Sequence, residues 1–255
     1  MALGTRTYAR PYLRGGGLPS GVKLLLIINI VVFLAQSFGG EPFLSYYFAL
    51  RPVSLFTMFA VWQVATYMFL HGGISHILFN MLALWMFGKD LEEAWGTQRF
   101  LRYYFFCGIG AGVCIVLANY LLPWGNPLGM TLGASGAIYG ILLASAVLWP
   151  TRIVYINFLF PVQMKYFVLI YGAIAFLGTF QVTSGVSNIA HLGGLLCGWI
   201  YLKTPAMQKI GQSQSGMKPW EAIQHRYKQW KLERNKKRFQ VYLRKHGSDR
   251  GPWTN

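Results

Sequence analysis

The stretch GASGAIYGILLASAVLW, Gly133 to Trp149, runs for 17 residues without a charge. A run of that length and polarity reads as a membrane-spanning helix, for which about 20 apolar residues cross a hydrocarbon core of ~30 Å. Gly136 and Gly140 stand four apart, so one face of this helix is bare enough for another helix to approach closely. Five further stretches of similar character lie near 22–38, 74–92, 98–122, 164–181 and 186–202. The chain therefore reads as an all-α membrane protein, a bundle of six transmembrane helices. Its organisation follows as a cytoplasmic N-terminal segment at 1–21, the membrane domain at 22–203 and a basic tail at 204–255.

Composition agrees. Of 255 residues, 54% are hydrophobic and only 12% charged, about half the charged share of an average soluble domain. The mean hydropathy is +0.38. A soluble domain of this size could not bury so much apolar surface, and disordered, collagen-like and disulfide-stapled chains are excluded by the same numbers. Cys107, Cys114 and Cys197 all lie inside apolar runs and read as small core residues. No metal or other cofactor is expected.

The basic residues orient the bundle. Arg6, Arg10, Arg14 and Lys23 lie at the start of helix 1; Lys89, Arg99 and Arg102 lie around the turn between helices 2 and 3; Arg152 and Lys165 lie between helices 4 and 5. Thirteen more follow from Lys203 to Arg250, whereas the three opposite loops carry only Arg51. By the positive-inside rule both termini are cytoplasmic, and loops 39–73, 123–132 and 182–185 face outward. Short loops and the absence of a transit peptide point to a bacterial inner membrane.

Residues 39–73 are rich in Phe, Tyr, Trp and Met yet broken by Pro42, Pro52 and Gly72-Gly73. They fit either a segment resting in the membrane interface or an aromatic loop packed on the bundle. Residues 217–246 are strongly basic with interleaved aromatic and aliphatic side chains. They read as a partly helical amphipathic stretch beside anionic lipid, worth about 1 kcal/mol per cation near the surface. Nucleic acid is not an expected partner.

Few polar residues enter the spans, and such residues are functional candidates. His76 and Asn80 stand four apart on one face of helix 2. Ser135 lies in the Gly133-Ala134-Ser135-Gly136 stretch that opens helix 4, and His191 lies near the start of helix 6. These three helices run the same way, so all four side chains fall at a similar depth, ~5–10 Å below the outer surface at 1.5 Å per residue. The small faces Gly136-x3-Gly140 and Gly194-x3-Gly198 would let helices 4 and 6 meet, bringing hydroxyl and imidazole together. A serine hydroxyl needs a base to become a nucleophile, and histidine is the usual one. The oxyanion that follows needs preorganised donors, to which His76, Asn80 and the N–H groups beginning helix 4 are suited. No carboxylate is placed to orient His191, so a dyad is expected, with Tyr139 one turn below Ser135 supporting the imidazole by stacking.

Other intramembrane chemistries lack parts. No glutamate follows a histidine as His-Glu-x-x-His zinc chemistry requires. The only aspartates are Asp90, at a helix end, and Asp249 in the tail. Gly-x-Ser-x-Gly fails because Ala137 holds the last position.

The chain resembles the rhomboid intramembrane serine proteases. The resemblance rests on His71-x4-His76-x3-Asn80, on Gly133-Ala134-Ser135-Gly136 with Tyr139, and on Ala190-His191-x2-Gly194-x3-Gly198, and it covers about residues 20–203. It implies Ser135 as nucleophile, His191 as general base and His76 and Asn80 at the oxyanion site. His71 and Gly133 would support them, and Glu92 would tie the loop and helix 2 region together. It further implies membrane-protein substrates cut in or near their spanning segments. Many members carry Trp-Arg where this chain has Trp62-Gln63, which bears on how the first loop is anchored. A non-proteolytic client-binding relative and a small transporter are the competing readings; the latter would show repeats or helices interrupted at the midplane. Helix 5, with Gly172, Gly178 and bulky Phe167, Tyr171 and Phe176, is the expected lateral entrance for a substrate helix.

Overall fold

The computed structural model describes residues 17–156, 159–179 and 185–204, with backbone alone for 185–187. The basic tail from residue 205, the N-terminal residues 1–16 and most of loop 182–185 lie outside the described residues.

Each of the six predicted spans holds helix. α1 is Ser20–Ala35. It runs through a widened turn, irregular at Phe38 and Gly39, into α2, Glu41–Phe48. Short helices α3, Pro52–Thr57, and α4, Gln63–Thr66, follow, both Pro42 and Pro52 sitting in a first turn where no donor is lost. The second span is α5, Ile74–Ala83, joined through a widened turn at Leu84–Gly88 to α6, Lys89–Trp95. α7, Thr97–Leu121, is the longest helix, and α8 is Ser135–Leu148. Two short strands, β1, Ile153–Ile156, and β2, Phe160–Gln163, pair antiparallel before α9, Met164–Gly178, and α10, Gly185–Leu202.

By length and hydropathy, Ser20–Phe48 and Thr97–Leu121 are sufficient to cross a membrane. Gln63–Phe69 with Ile74–Trp95 makes a third candidate, bent by 96°. The bend falls at Gly72-Gly73, with Gly73 at φ +155°. Ser135–Leu148, Met164–Gly178 and Asn188–Leu202 are apolar but shorter.

The first loop is neither bare coil nor wholly packed. Ala49, Leu50 and Ala60 are buried, whereas Phe43, Phe56, Phe59, Val61 and Trp62 are exposed. The segment is a run of short helices with one packed face. Gln63 fixes it: its Oε1 accepts from the Arg51 amide at 3.1 Å, and its Nε2 donates to the Tyr46 and Tyr47 carbonyls at 3.4 and 3.3 Å. A glutamine therefore does, through both ends of its amide, the anchoring that the absent arginine put in question. From there a backbone bridge at Leu50 and Thr131, 2.9 Å in each direction, holds the loop that leads into α8.

Glu92 ties helices, not the first loop. Its carboxylate accepts from the amides of Gly21 and Val22 at 2.8 and 2.7 Å and from the Thr97 hydroxyl at 2.6 Å. A buried acid thus satisfies donors at the α1 N-terminus, where negative charge suits the helix dipole. At the same end of the bundle Arg152 pairs with Asp90.

Glycine and cysteine set how closely the central helices pack. A Cβ on Gly110 would lie 3.1 Å from that of Cys197, and one on Gly193 only 2.8 Å from that of Cys114. The antiparallel helices α7 and α10 therefore offer each cysteine a glycine opposite it. Cys107 is buried, Cys114 and Cys197 half-buried, in keeping with a packing role.

Candidate active site

α8 and α10 touch backbone to backbone. A Cβ on Gly136 would lie 3.3 Å from the Ala190 carbonyl oxygen, and one on Gly198 would lie 3.3 Å from the Gly140 Cα. A Cβ on Gly194 would sit 2.7 Å from the Gly136 carbonyl carbon and would collide with its oxygen. The four glycines singled out in the sequence form this seam. Ser135 directly precedes Gly136 and His191 directly follows Ala190, so the two residues flank one of the closest contacts between the helices. One turn on, the Tyr139 ring stacks on His191 with centroids 4.1 Å apart and planes within 8°.

Ser135 is the first helical residue, two later than the sequence suggests. Gly133 takes φ +122°, which favours glycine and ends the preceding loop. Its amide donates to the Tyr67 carbonyl at 2.9 Å. A Cβ there would lie 2.7 Å from both Cε1 and Nε2 of His76. The bare α-carbon thus brings the His76 ring edge against the start of α8.

The Nδ1 of His76 accepts from the Gly72 amide at 3.3 Å. Accepting at Nδ1 puts the proton of the neutral ring on Nε2, the edge beside Gly133. His76 therefore presents a donor to the start of the serine helix. Asn80 is buried on the same face, and one of its amide hydrogens goes to the His76 carbonyl at 3.0 Å, leaving the other. His71 packs edge-on against His76, ring centroids 5.1 Å apart, with both ring nitrogens buried and without hydrogen bonds to other described residues. Its backbone is gripped by Gln36, whose Oε1 accepts from the His71 amide at 3.0 Å and whose Nε2 donates to its carbonyl at 3.4 Å.

Sequence reasoning missed Gln36 and Tyr67, and marked Gln63 only as a departure from the family pattern. The buried Tyr67 hydroxyl donates to the Gly108 carbonyl at 2.7 Å and lies beside Gly136. It joins α7 to the serine helix while its carbonyl holds Gly133. A tyrosine in an aromatic-rich loop carries no periodic signal of that role.

Residues 58–206 match the family described as Rhomboid domain. The chain belongs to the rhomboid family. As a rhomboid it is an integral membrane protein, and every site residue singled out in the sequence lies within the matched residues. It is 31% identical over 193 residues to Rhomboid protease AarA of Providencia stuartii, covering 68% of each chain. It is also 30% identical over 201 residues to Rhomboid protease GluP of Bacillus subtilis, covering 76% of this chain. The chain spans 36% of that relative's length, and 16% of Rhomboid-like protease 5 of Toxoplasma gondii at 34% identity over 146 residues.

Proposed function

We propose that this rhomboid is an intramembrane serine endopeptidase that cuts other membrane proteins in or near their spanning segments. The reading is carried by the glycine seam of α8 and α10, which sets Ser135 and His191 beside one contact, with Tyr139 stacked on the imidazole. Relatives named as proteases support the activity.

In this mechanism a ring nitrogen of His191 takes the Ser135 proton as Oγ attacks the scissile carbonyl carbon. The carbonyl oxygen becomes an oxyanion, received by Nε2–H of His76, the remaining Asn80 amide hydrogen and N–H groups at the start of α8. Collapse breaks the C–N bond, and His191 returns its proton to the departing amine. Water, deprotonated by His191, then cleaves the ester on Ser135. Tyr139 holds the imidazole by stacking in the absence of an orienting carboxylate.

The chain crosses the bilayer six times with both termini in the cytoplasm, and its basic tail lies against anionic lipid. A bacterial inner membrane suits that charge pattern. Water reaches the dyad from the outer side, whereas a substrate helix enters from lipid past α9. The test is cleavage of a fluorogenic transmembrane substrate in detergent. Ser135→Ala and His191→Ala abolish it, and a fluorophosphonate labels the parent but not Ser135→Ala. Full cleavage by Ser135→Ala would refute the serine mechanism.

A further inference from the structure

The connection between α8 and α9 has no part in the proposed chemistry, yet its build is unusual. α8 has 14 residues and α9 has 15. At ~1.5 Å per residue they rise about 21 and 22 Å, well short of a core ~30 Å thick. Between them the strands pair in register, Ile153 with Gln163, Val154 with Val162, Tyr155 with Pro161 and Ile156 with Phe160. The base of the hairpin is closed by the Met164 amide on the Arg152 carbonyl at 2.8 Å and the Lys165 amide on the Pro150 carbonyl at 3.2 Å.

Val154 turns toward the bundle, nearly buried, while Ile153 and Tyr155 point away, 49% and 62% exposed. Phe160 on β2 is 65% exposed, and Leu159 is also exposed. Ile153 and Tyr155 share the outward face, whereas Phe160, paired with Ile156, lies on the opposite face at the far end of the hairpin; Tyr166, Leu169 and Ile170 are exposed on α9. Cations border the hairpin. Arg152 is held by Asp90, and the Lys165 ammonium lies 4.7 Å over the Tyr166 ring.

We propose that this hairpin lies in the boundary between headgroups and acyl chains of the adjacent leaflet, as a lipid-inserted foot for α9. α9, which starts at the hairpin and rises about 22 Å, is short enough for its foot to lie at membrane depth. Pairing satisfies the inner edges of the two strands, and at the headgroup boundary water still reaches the outer ones. Ile153 and Tyr155 then meet acyl chains, and Lys165 meets lipid phosphate. The proposal rests on membrane residence and not on proteolysis.

The test is photocrosslinking in phosphatidylcholine–phosphatidylglycerol vesicles. A benzophenone amino acid replaces Tyr155 in the full chain, with Leu169 on α9 as the lipid-facing reference, and whole-protein mass is measured after irradiation. The expected result is a phospholipid adduct at position 155 with about a third or more of the reference yield. A lipid adduct at 169 with none at 155 overturns the proposal, as does a covalent dimer at 155, which would make the surface a contact between copies. If the Tyr155 variant does not insert, the same substitution at Ile153, on the same face, carries the same outcomes. Loss of proteolysis in the parent would refute the proposed activity and leave this result untouched.

Discussion

Gly194→Ala adds one methyl group at the tightest point of the α8–α10 seam. Its carbon would lie 2.7 Å from the Gly136 carbonyl carbon. Carbon atoms rest at about 3.5–4.0 Å, so the two helices must part by roughly 1 Å. Both partners at this point are backbone, and no side chain can rotate away to absorb the strain. Overpacking of this kind costs about 1–3 kcal/mol, partly offset by ~1 kcal/mol from replacing a glycine inside a helix. The protein therefore still folds, with a melting temperature a few degrees lower. The proposed chemistry is less tolerant. A displacement of ~1 Å between reacting groups costs about 100-fold in rate, or ~2.7 kcal/mol in the barrier. The assay is kcat for a fluorogenic transmembrane substrate beside a thermal melt, both in detergent. A folded Gly194→Ala protein with kcat within about threefold of the parent would refute the argument that this seam positions the dyad.

Gly133→Ala should do comparable harm from the other side, because its methyl group meets the His76 ring and the φ of +122° disfavours any side chain. A kcat loss of about 100-fold is expected, matching removal of one oxyanion donor. Glu92→Ala removes an acceptor from three donors at the start of α1 and α7. At about 1.5 kcal/mol or more per charge-assisted bond, the loss is ~4 kcal/mol, read as a fall of roughly 10 °C in the melt. The rings of Phe87 and Phe167 lie 6.2 Å apart between the second span and α9. A disulfide between cysteines placed there, in a background free of the native ones, should block transmembrane substrates yet spare a small water-soluble ester; equal loss of both would reject entry past α9.

The parts of the fold that were legible are those fixed by solvent. Charge-free runs such as 133–149 mark helices because lipid leaves a backbone few other ways to satisfy itself. The glycine seam was legible too, since Gly136, Gly140, Gly194 and Gly198 repeat at helical spacing. Depth alone put His76 in one layer with Ser135, whereas its contact with Gly133, two residues earlier, left no sign in the sequence. Positions set by particular long-range bonds left no such trace. The start of α8 moved to Ser135 because Gly133 is held by Tyr67, far away in sequence. The α8–α9 connection read as a plain loop because strands of four residues are too short for alternation to stand out. Gln63 looked like a loss against the family pattern, whereas its amide reaches three backbone groups of the first loop.

The buried polar side chains divide by where they find their hydrogen-bond partner. Asn29, Asn80, Asn119, Ser145 and Thr179 each donate to the carbonyl four residues back in their own helix. Tyr67, Tyr103, Gln36 and Glu92 bond to a different helix or its flanking turn. In the first group that donor bond forms as soon as the helix exists, which eases the passage of each segment into lipid. The second group closes only when neighbours have arrived. The chain thus carries its own timetable, with insertion first and assembly after, as expected where lipid gives helices little other reason to associate. A nascent chain halted after α7 would be stably inserted, with Tyr103 still waiting for the Gly140 carbonyl that α8 brings.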